Sequence, residues 1–241
     1  MYKVTYLDRH GFIVTNDDVI MVFDYYTDPS HALHRELEHN PEKPVVFFVT
    51  SYIPKHFDKS IYELAQNHKR MYVMSNDVYP QNVPDKIQVA GMSRGDIIEN
   101  IYGGLRVNAY ATAAKGVAFL VTDKHGKTIF HAGALDDLNK VNEEKQEHTD
   151  DQCSTGVAVN RIAEDVKSLD IVFFPCDADI NSHSGHHARQ FLEEIKVKFL
   201  FPIHAGSDEK TEGTYGEYFI NGAQVEFLRE PGQSIELFKD K

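Results

Sequence analysis

Polar and apolar residues alternate through the opening of the chain. Val, Thr, Tyr and Ile dominate 3–7 and 11–15, and Asn16-Asp17-Asp18 supplies a turn before 19–23, which predicts a β-meander. Asp28-Pro29 then predicts a helix start, with Asp28 as N-cap, Pro29 in the first helical position, and Leu33 and Leu37 on one face. The nearly unbroken apolar run 44–49 predicts a strand covered on both faces. A second helix is predicted after Asp58, because Ile61, Leu64, Ala65 and His68 recur at i, i+3, i+4 and i+7; that face reads as core. Residues 70–74 follow as a short strand.

The β pattern returns over 86–131, where 117–122 and 127–131 flank Lys124-His125-Gly126, a hairpin signal. The stretch 136–152 is charged and weakly periodic and is expected to be a loop. Val159, Ile162, Ala163 and Val166 predict an amphipathic helix, 171–175 a buried strand, Ala188, Phe191, Leu192 and Ile195 a further helix, and 198–203 a strand. Two β-rich halves, each followed by β-α alternation, predict two sheets packed together with helices outside. With no Pro/Gly/Ser-rich linker and no low-complexity tract, residues 1–241 are expected to form a single domain.

Composition narrows the partners. A chain of 241 residues at 41% hydrophobic can bury a substantial core, and with no Trp its 15 Phe and 12 Tyr must supply the large aromatic packing. The formal charge of -12 repels phosphate backbones and anionic lipid, so neither nucleic acid nor membrane is expected as a partner. No signal-like segment and no run approaching the roughly 20 apolar residues of a membrane span are present. Cys153 and Cys176 do not make a disulfide framework. The expectation is a soluble, cytoplasmic protein with a small-molecule ligand as its candidate partner.

Several short motifs recur in a telling order. They are Gly11-Phe12, Phe23-Asp24-Tyr25-Tyr26, Phe47-Phe48-Val49-Thr50, Lys115-Gly116-Val117-Ala118-Phe119-Leu120, Lys127-Thr128-Ile129-Phe130-His131-Ala132-Gly133, Phe173-Phe174-Pro175 and Phe201-Pro202-Ile203-His204. Through them nearly the whole chain resembles the metallo-β-lactamase superfamily, in particular its small bacterial lactonase-like hydrolases. The resemblance implies an α/β fold, a four-layer αβ/βα sandwich.

It also implies a zinc centre, built on a loop reading Thr-His-x-His-x-Asp-His, that activates a bridging water. Here the loop reads Thr50-Ser51-Tyr52-Ile53-Pro54-Lys55-His56. Ser51 and Ile53 stand where the first two histidines belong, Lys55 stands where the aspartate belongs, and His56 survives. Ala134 replaces the metal-bridging aspartate after Gly133, His204 keeps the terminal histidine position, and Arg9-His10-Gly11 displaces a histidine by one position. Two surviving ligands fall short of the three protein donors that zinc requires, and Lys55 adds like charge.

The surviving metal positions are thus His56 and His204, which are also readily explained as hydrogen-bonded imidazoles. Asp24 resembles a family carboxylate, but an aspartate ending a strand is more often a turn residue. The stretch 176–187 is rich in ligand-type side chains, including Asp177 and His183, and leaves a strand end on the edge His204 should share. The competing reading is a solvated loop with Ser184 capping the next helix. Cys176 reads as a core-edge thiol, and the acidic run near Glu143, Glu144, Glu147, Asp150 and Asp151 as solvated surface.

Three functions follow, the last of them a metal-dependent nuclease, which the resemblance allows but the acid balance and the lost ligands count against. The first is a pseudo-hydrolase with a binding or regulatory role, with no resident cofactor expected. The second is a hydrolase of a small, anionic substrate through a rebuilt site of His56, His204 and the 177–187 loop, lined by Lys55, Asp177, His183 and Ala134. Zinc is expected at that rebuilt site alone.

Overall fold

The computed structural model describes residues 1–78, 83–84, 87–113, 115–135, 155–176, 183–203 and 220–239, with the backbone alone at 183 and 184. Strands β1 (Tyr2–Asp8), β2 (Gly11–Thr15) and β3 (Ile20–Phe23) form the predicted meander. Helix α1 (Ala32–His39), β4 (Val45–Val49), a 3-10 turn (Lys59–Glu63), β5 (Arg70–Ser75) and β6 (Val89–Met92) complete the first half. The second half runs β7 (Ile97–Ile101), β8 (Leu105–Ala111), β9 (Val117–Thr122), β10 (Thr128–His131), α2 (Thr155–Asp165), β11 (Ser168–Pro175), α3 (His183–Glu194) and β12 (Lys196–Ile203). Short strands β13 (Gln224–Val225) and β14 (Ser234–Leu237) follow.

The strands form two sheets, ordered β14-β1-β2-β3-β4-β5-β6 and β13-β12-β11-β10-β9-β8-β7. Three apolar clusters define four layers. One joins the sheets through Phe12, Phe23, Phe48, Phe119, Phe173 and Phe201. A second packs α2 and α3 on the second sheet through Ile162, Phe191 and Leu192. A third packs α1 and the 3-10 turn on the first through Leu33, Ile61 and Tyr72. Each fully buried Phe contributes roughly 1.5–3 kcal/mol. Phe12 stacks on Phe173 at 4.3 Å and Phe23 on Phe48 at 4.7 Å, so phenylalanine does fill the sandwich centre.

The helical expectations need correction at three points. α1 starts at Ala32, not at Pro29, because His31 adopts a left-handed conformation (φ 55°) that interrupts the path. Asp28 still caps, at longer range: its carboxylate accepts the N–H groups of Ala32 (2.9 Å) and Leu33 (2.8 Å). After Asp58, which caps Ser60 N–H at 2.8 Å as expected, the turn is 3-10 and ends early. The Arg70 guanidinium captures the Tyr62 and Leu64 carbonyls, and left-handed Ala65 (φ 52°) turns the chain away. α3 already includes His183 and Ser184, so Ser184 lies inside the helix instead of capping it. The predicted 136–152 loop lies outside the described residues.

Candidate metal centre

Strand order makes one edge of the sandwich special. β3 pairs antiparallel with β2 and parallel with β4. β10 pairs antiparallel with β9 and parallel with β11. Each is its sheet's switch strand, where antiparallel pairing gives way to parallel, and in open α/β sheets ligands gather beyond the carboxyl ends of the parallel strands. Asp24 leaves β3 and His131 ends β10. His56 enters from the loop after β4, and His10 from the β1–β2 turn. All four side chains are buried, and they meet between the sheets.

Asp24 is the hub. Its Oδ1 accepts Thr50 N–H at 2.7 Å, and its Oδ2 accepts the Thr50 hydroxyl at 2.6 Å and His56 Nδ1–H at 2.7 Å. Burial opposes its ionisation, but the electrostatic pull of the His56 and His131 rings and the hydrogen bonds from His56 and Thr50 outweigh it. The carboxyl is therefore held below the ordinary carboxylate range. His10 Nδ1 lies 3.1 Å from His56 Nδ1, with the rings edge-on at 3.8 Å.

His131 is placed by two backbone contacts: Gly133 N–H donates to its Nδ1 at 3.1 Å, and its Nε2–H donates to the His10 carbonyl at 2.9 Å. Those partners select the neutral Nε2–H tautomer. Burial pushes its pKa down, against the opposing pull of Asp24. Its ring stacks on Phe23 at 5.5 Å, which ties the cluster to the aromatic core.

The second sheet clamps the loop from the other side. Val117 N–H donates to the Thr50 carbonyl at 2.9 Å. Gly116 (φ 104°) and Gly133 (φ 55°) make this close approach possible: a Cβ on Gly116 would collide with the Thr50 carbonyl oxygen, and one on Gly133 would sit 2.7 Å from Thr50 Cβ.

The ligand atoms of His10, Asp24 and His56 all lie within 4.8 Å of one another, a set that could hold a metal ion. Three donors suffice in number for one ion and not for two. The rest of the loop offers little to a second. Ser51 is committed to Asp77, its hydroxyl donating at 2.9 Å and its oxygen accepting Ile53 N–H at 3.2 Å. Ile53 and the buried Ala134 carry no donor. Lys55 is half-buried in a left-handed turn (φ 85°).

Of the residues singled out from sequence, the structure brings His56 into the cluster beside Lys55. Asp177 and His204 lie outside the described residues, and His183 is described by its backbone alone. Asp24 is no mere turn residue; it is the carboxylate on which the cluster is built. His10 was noted only as displaced, and His131 only as part of a strand motif. The signal that could have found His131 is the switch-point rule, since it ends the second sheet's switch strand.

An αβ/βα sandwich with imidazoles and a carboxylate gathered at the ends of its two switch strands is the metallo-β-lactamase fold. The metallo hydrolase Igni18 of Ignicoccus hospitalis is similar at a TM-score of 0.64 and 14% identity, covering 99% of each chain. YhfI of Bacillus subtilis, a metallo-β-lactamase fold protein, matches at 0.64 and 12%, covering 98% of this chain and 100% of its own. A possible metal-dependent hydrolase from Veillonella parvula matches at 0.62 and 12%, with 98% and 100% coverage. At such identities the shared property is the fold. No family model and no curated protein matches the chain.

Proposed function

We propose that this chain is a metallo-β-lactamase-fold pseudo-hydrolase, a hydrolase scaffold kept for binding a small ligand after the two-metal centre was lost. The observation that carries this is the Thr50–His56 loop. It spends Ser51 on Asp77, offers no donor at Ile53 and places an ammonium-bearing side chain at Lys55. A water-activating dinuclear site needs open, deprotonated donors on this loop. The net charge of -12 favours a ligand other than nucleic acid or anionic membrane.

The test is hydrolysis of a panel of lactones, esters, phosphodiesters and β-lactams, with zinc, manganese or iron(II) added. The expected result is no turnover above metal-only controls, and sustained turnover on any of them overturns the proposal. A second reading, hydrolysis through a rebuilt site, is favoured by the convergence of His10, Asp24 and His56. It predicts turnover that His56→Gln abolishes.

A further inference from the structure

We propose that His10, Asp24 and His56 hold one first-row divalent ion, zinc in the first instance, as a buried mononuclear site. This rests on the pseudo-hydrolase reading and names the ligand of its buried cluster. It differs from the two-metal centre that the resemblance implies, because two of its three donors lie outside the Thr50–His56 loop: His10 in the β1–β2 turn and Asp24 at the end of β3.

Three observations carry it. The first is convergence. Tetrahedral zinc with bonds of about 2.0–2.1 Å sets its ligand atoms roughly 3.3 Å apart. His10 Nδ1 and His56 Nδ1 stand at 3.1 Å, and His56 Nδ1 and Asp24 Oδ2 at 2.7 Å. The second pair now shares a proton and must open by roughly 0.6 Å around an ion. On binding, the proton on His56 Nδ1 moves to Nε2 and frees the Nδ1 lone pair for the ion, so the imidazole stays neutral and Asp24 stays anionic. Two imidazoles and one carboxylate suit zinc and iron(II) better than magnesium or calcium, which prefer all-oxygen sites.

The second observation is backbone strain. Arg9 (φ 56°) delivers His10, Asp24 itself sits at φ 43°, and Lys55 (φ 85°) delivers His56. Left-handed geometry at non-glycine residues persists only where the surroundings over-determine it, and it concentrates at functional sites. Here it recurs at each point that feeds the cluster.

The third is outer support. Thr50 donates through its N–H to one oxygen of Asp24 and through its hydroxyl to the other, fixing the carboxylate plane. Metal-binding carboxylates are typically held in this way by further hydrogen bonds. His131 stands 3.7 Å from Asp24, with its own ring nitrogens taken up by Gly133 N–H and the His10 carbonyl.

The experiment uses untagged full-length protein, stripped with chelator, exchanged into chelator-free buffer and titrated with Zn(II), and in parallel with Co(II) for its visible bands. We expect one equivalent, with a Co(II) spectrum of low coordination number. His10→Ala should weaken binding at least tenfold, His10→Cys should recover part of it, and His125→Ala, at an exposed hairpin imidazole, should leave it unchanged. Should His10→Ala not fold, by circular dichroism, His10→Asn takes its place. A folded protein that takes no ion, or one whose affinity His10→Ala does not change, overturns the site while leaving the pseudo-hydrolase reading standing. One equivalent accompanied by hydrolysis of the ester panel keeps the site and overturns that reading. Two equivalents overturn both.

Discussion

Among the described residues, Asp24 and Asp123 are carboxylates buried between the sheets, at opposite ends of the sandwich, and they are used differently. Asp123 follows β9 and takes the Tyr2 hydroxyl, the Asn16 amide at 3.2 Å, and the N–H groups of His125 and Lys127 at 2.9 Å each. Its donors are a phenol, an amide and a hairpin backbone, and none of Tyr2, Asn16 or Asp123 adopts a left-handed conformation. Asp24 takes a threonine and an imidazole, with two more imidazoles alongside, and is itself left-handed. Both act as clamps between sheets. What separates them is donor chemistry: a phenol, an amide and backbone N–H groups close one end, and imidazoles, the commonest metal ligands, gather at the other, where the switch strands end.

The sharpest way to break this comparison is to remove each carboxylate. Asp24→Ala leaves Thr50 N–H and His56 without their acceptor in a dry site, and truncating one partner of such a buried pair costs about 3–5 kcal/mol. Asp123→Ala should cost less, about 2–3 kcal/mol, because its hairpin N–H donors lie where water can replace the carboxylate. Urea denaturation of both variants checks the order. Equal losses, or Asp123 the larger, would deny that the Asp24 end is the more tightly committed.

Glycine substitution probes the same contrast in the backbone. Gly116→Ala forces a left-handed residue against Thr50 and should cost about 3 kcal/mol, whereas Gly126→Ala, in the open hairpin turn beyond Asp123, should cost about 1 kcal/mol. Differential scanning calorimetry reads both. Similar shifts in melting temperature would mean that the Thr50 clamp is slack.

The two ends should also part company in alkali. Burial, then the hydrogen bond and charge of Asp123, raise the Tyr2 pKa above its ordinary value of about 10. A raised folded-state pKa means that the contribution is complete below about pH 10 and is lost as pH rises past it. Other phenols raised by burial, the buried Tyr62 and the half-buried Tyr110 among them at about 12, share that limb. The diagnostic is therefore a difference: Tyr2→Phe should flatten the fall of the urea midpoint above about pH 10. An unchanged slope counts against the Tyr2–Asp123 link. The smallest effect is expected at the surface near this end, where Lys124→Ala removes the exposed ion pair with Asp18 and should cost under about 1 kcal/mol by urea denaturation.

Much of the scaffold was legible because burial leaves a local trace. The apolar run at β4, the hairpin between β9 and β10 and the helix faces of α2 and α3 each follow from residues a few positions apart. Where local reading failed, a distant group had intervened. Arg70, downstream of the 3-10 turn, captures carbonyls that a longer helix would have used. His56 was legible by its motif position, while the roles of Asp24 and His131 were not, since an aspartate after a strand looks the same whether it faces water or a pair of imidazoles.

The sequence by itself determined the alternation, the helix faces, the acid balance and the altered Thr50–His56 loop. Only the tertiary structure decided that β3 and β10, 105 to 111 positions apart across the two sheets, end at one point. The physical reason is that a strand pattern specifies which face is covered, but the partner of a buried carboxylate is chosen by sheet order and register. Asp24 finds Thr50 26 positions away and His56 32 positions away, and the His10 carbonyl finds His131 121 positions away. At those separations only the packing of one sheet on the other brings the groups within hydrogen-bond reach.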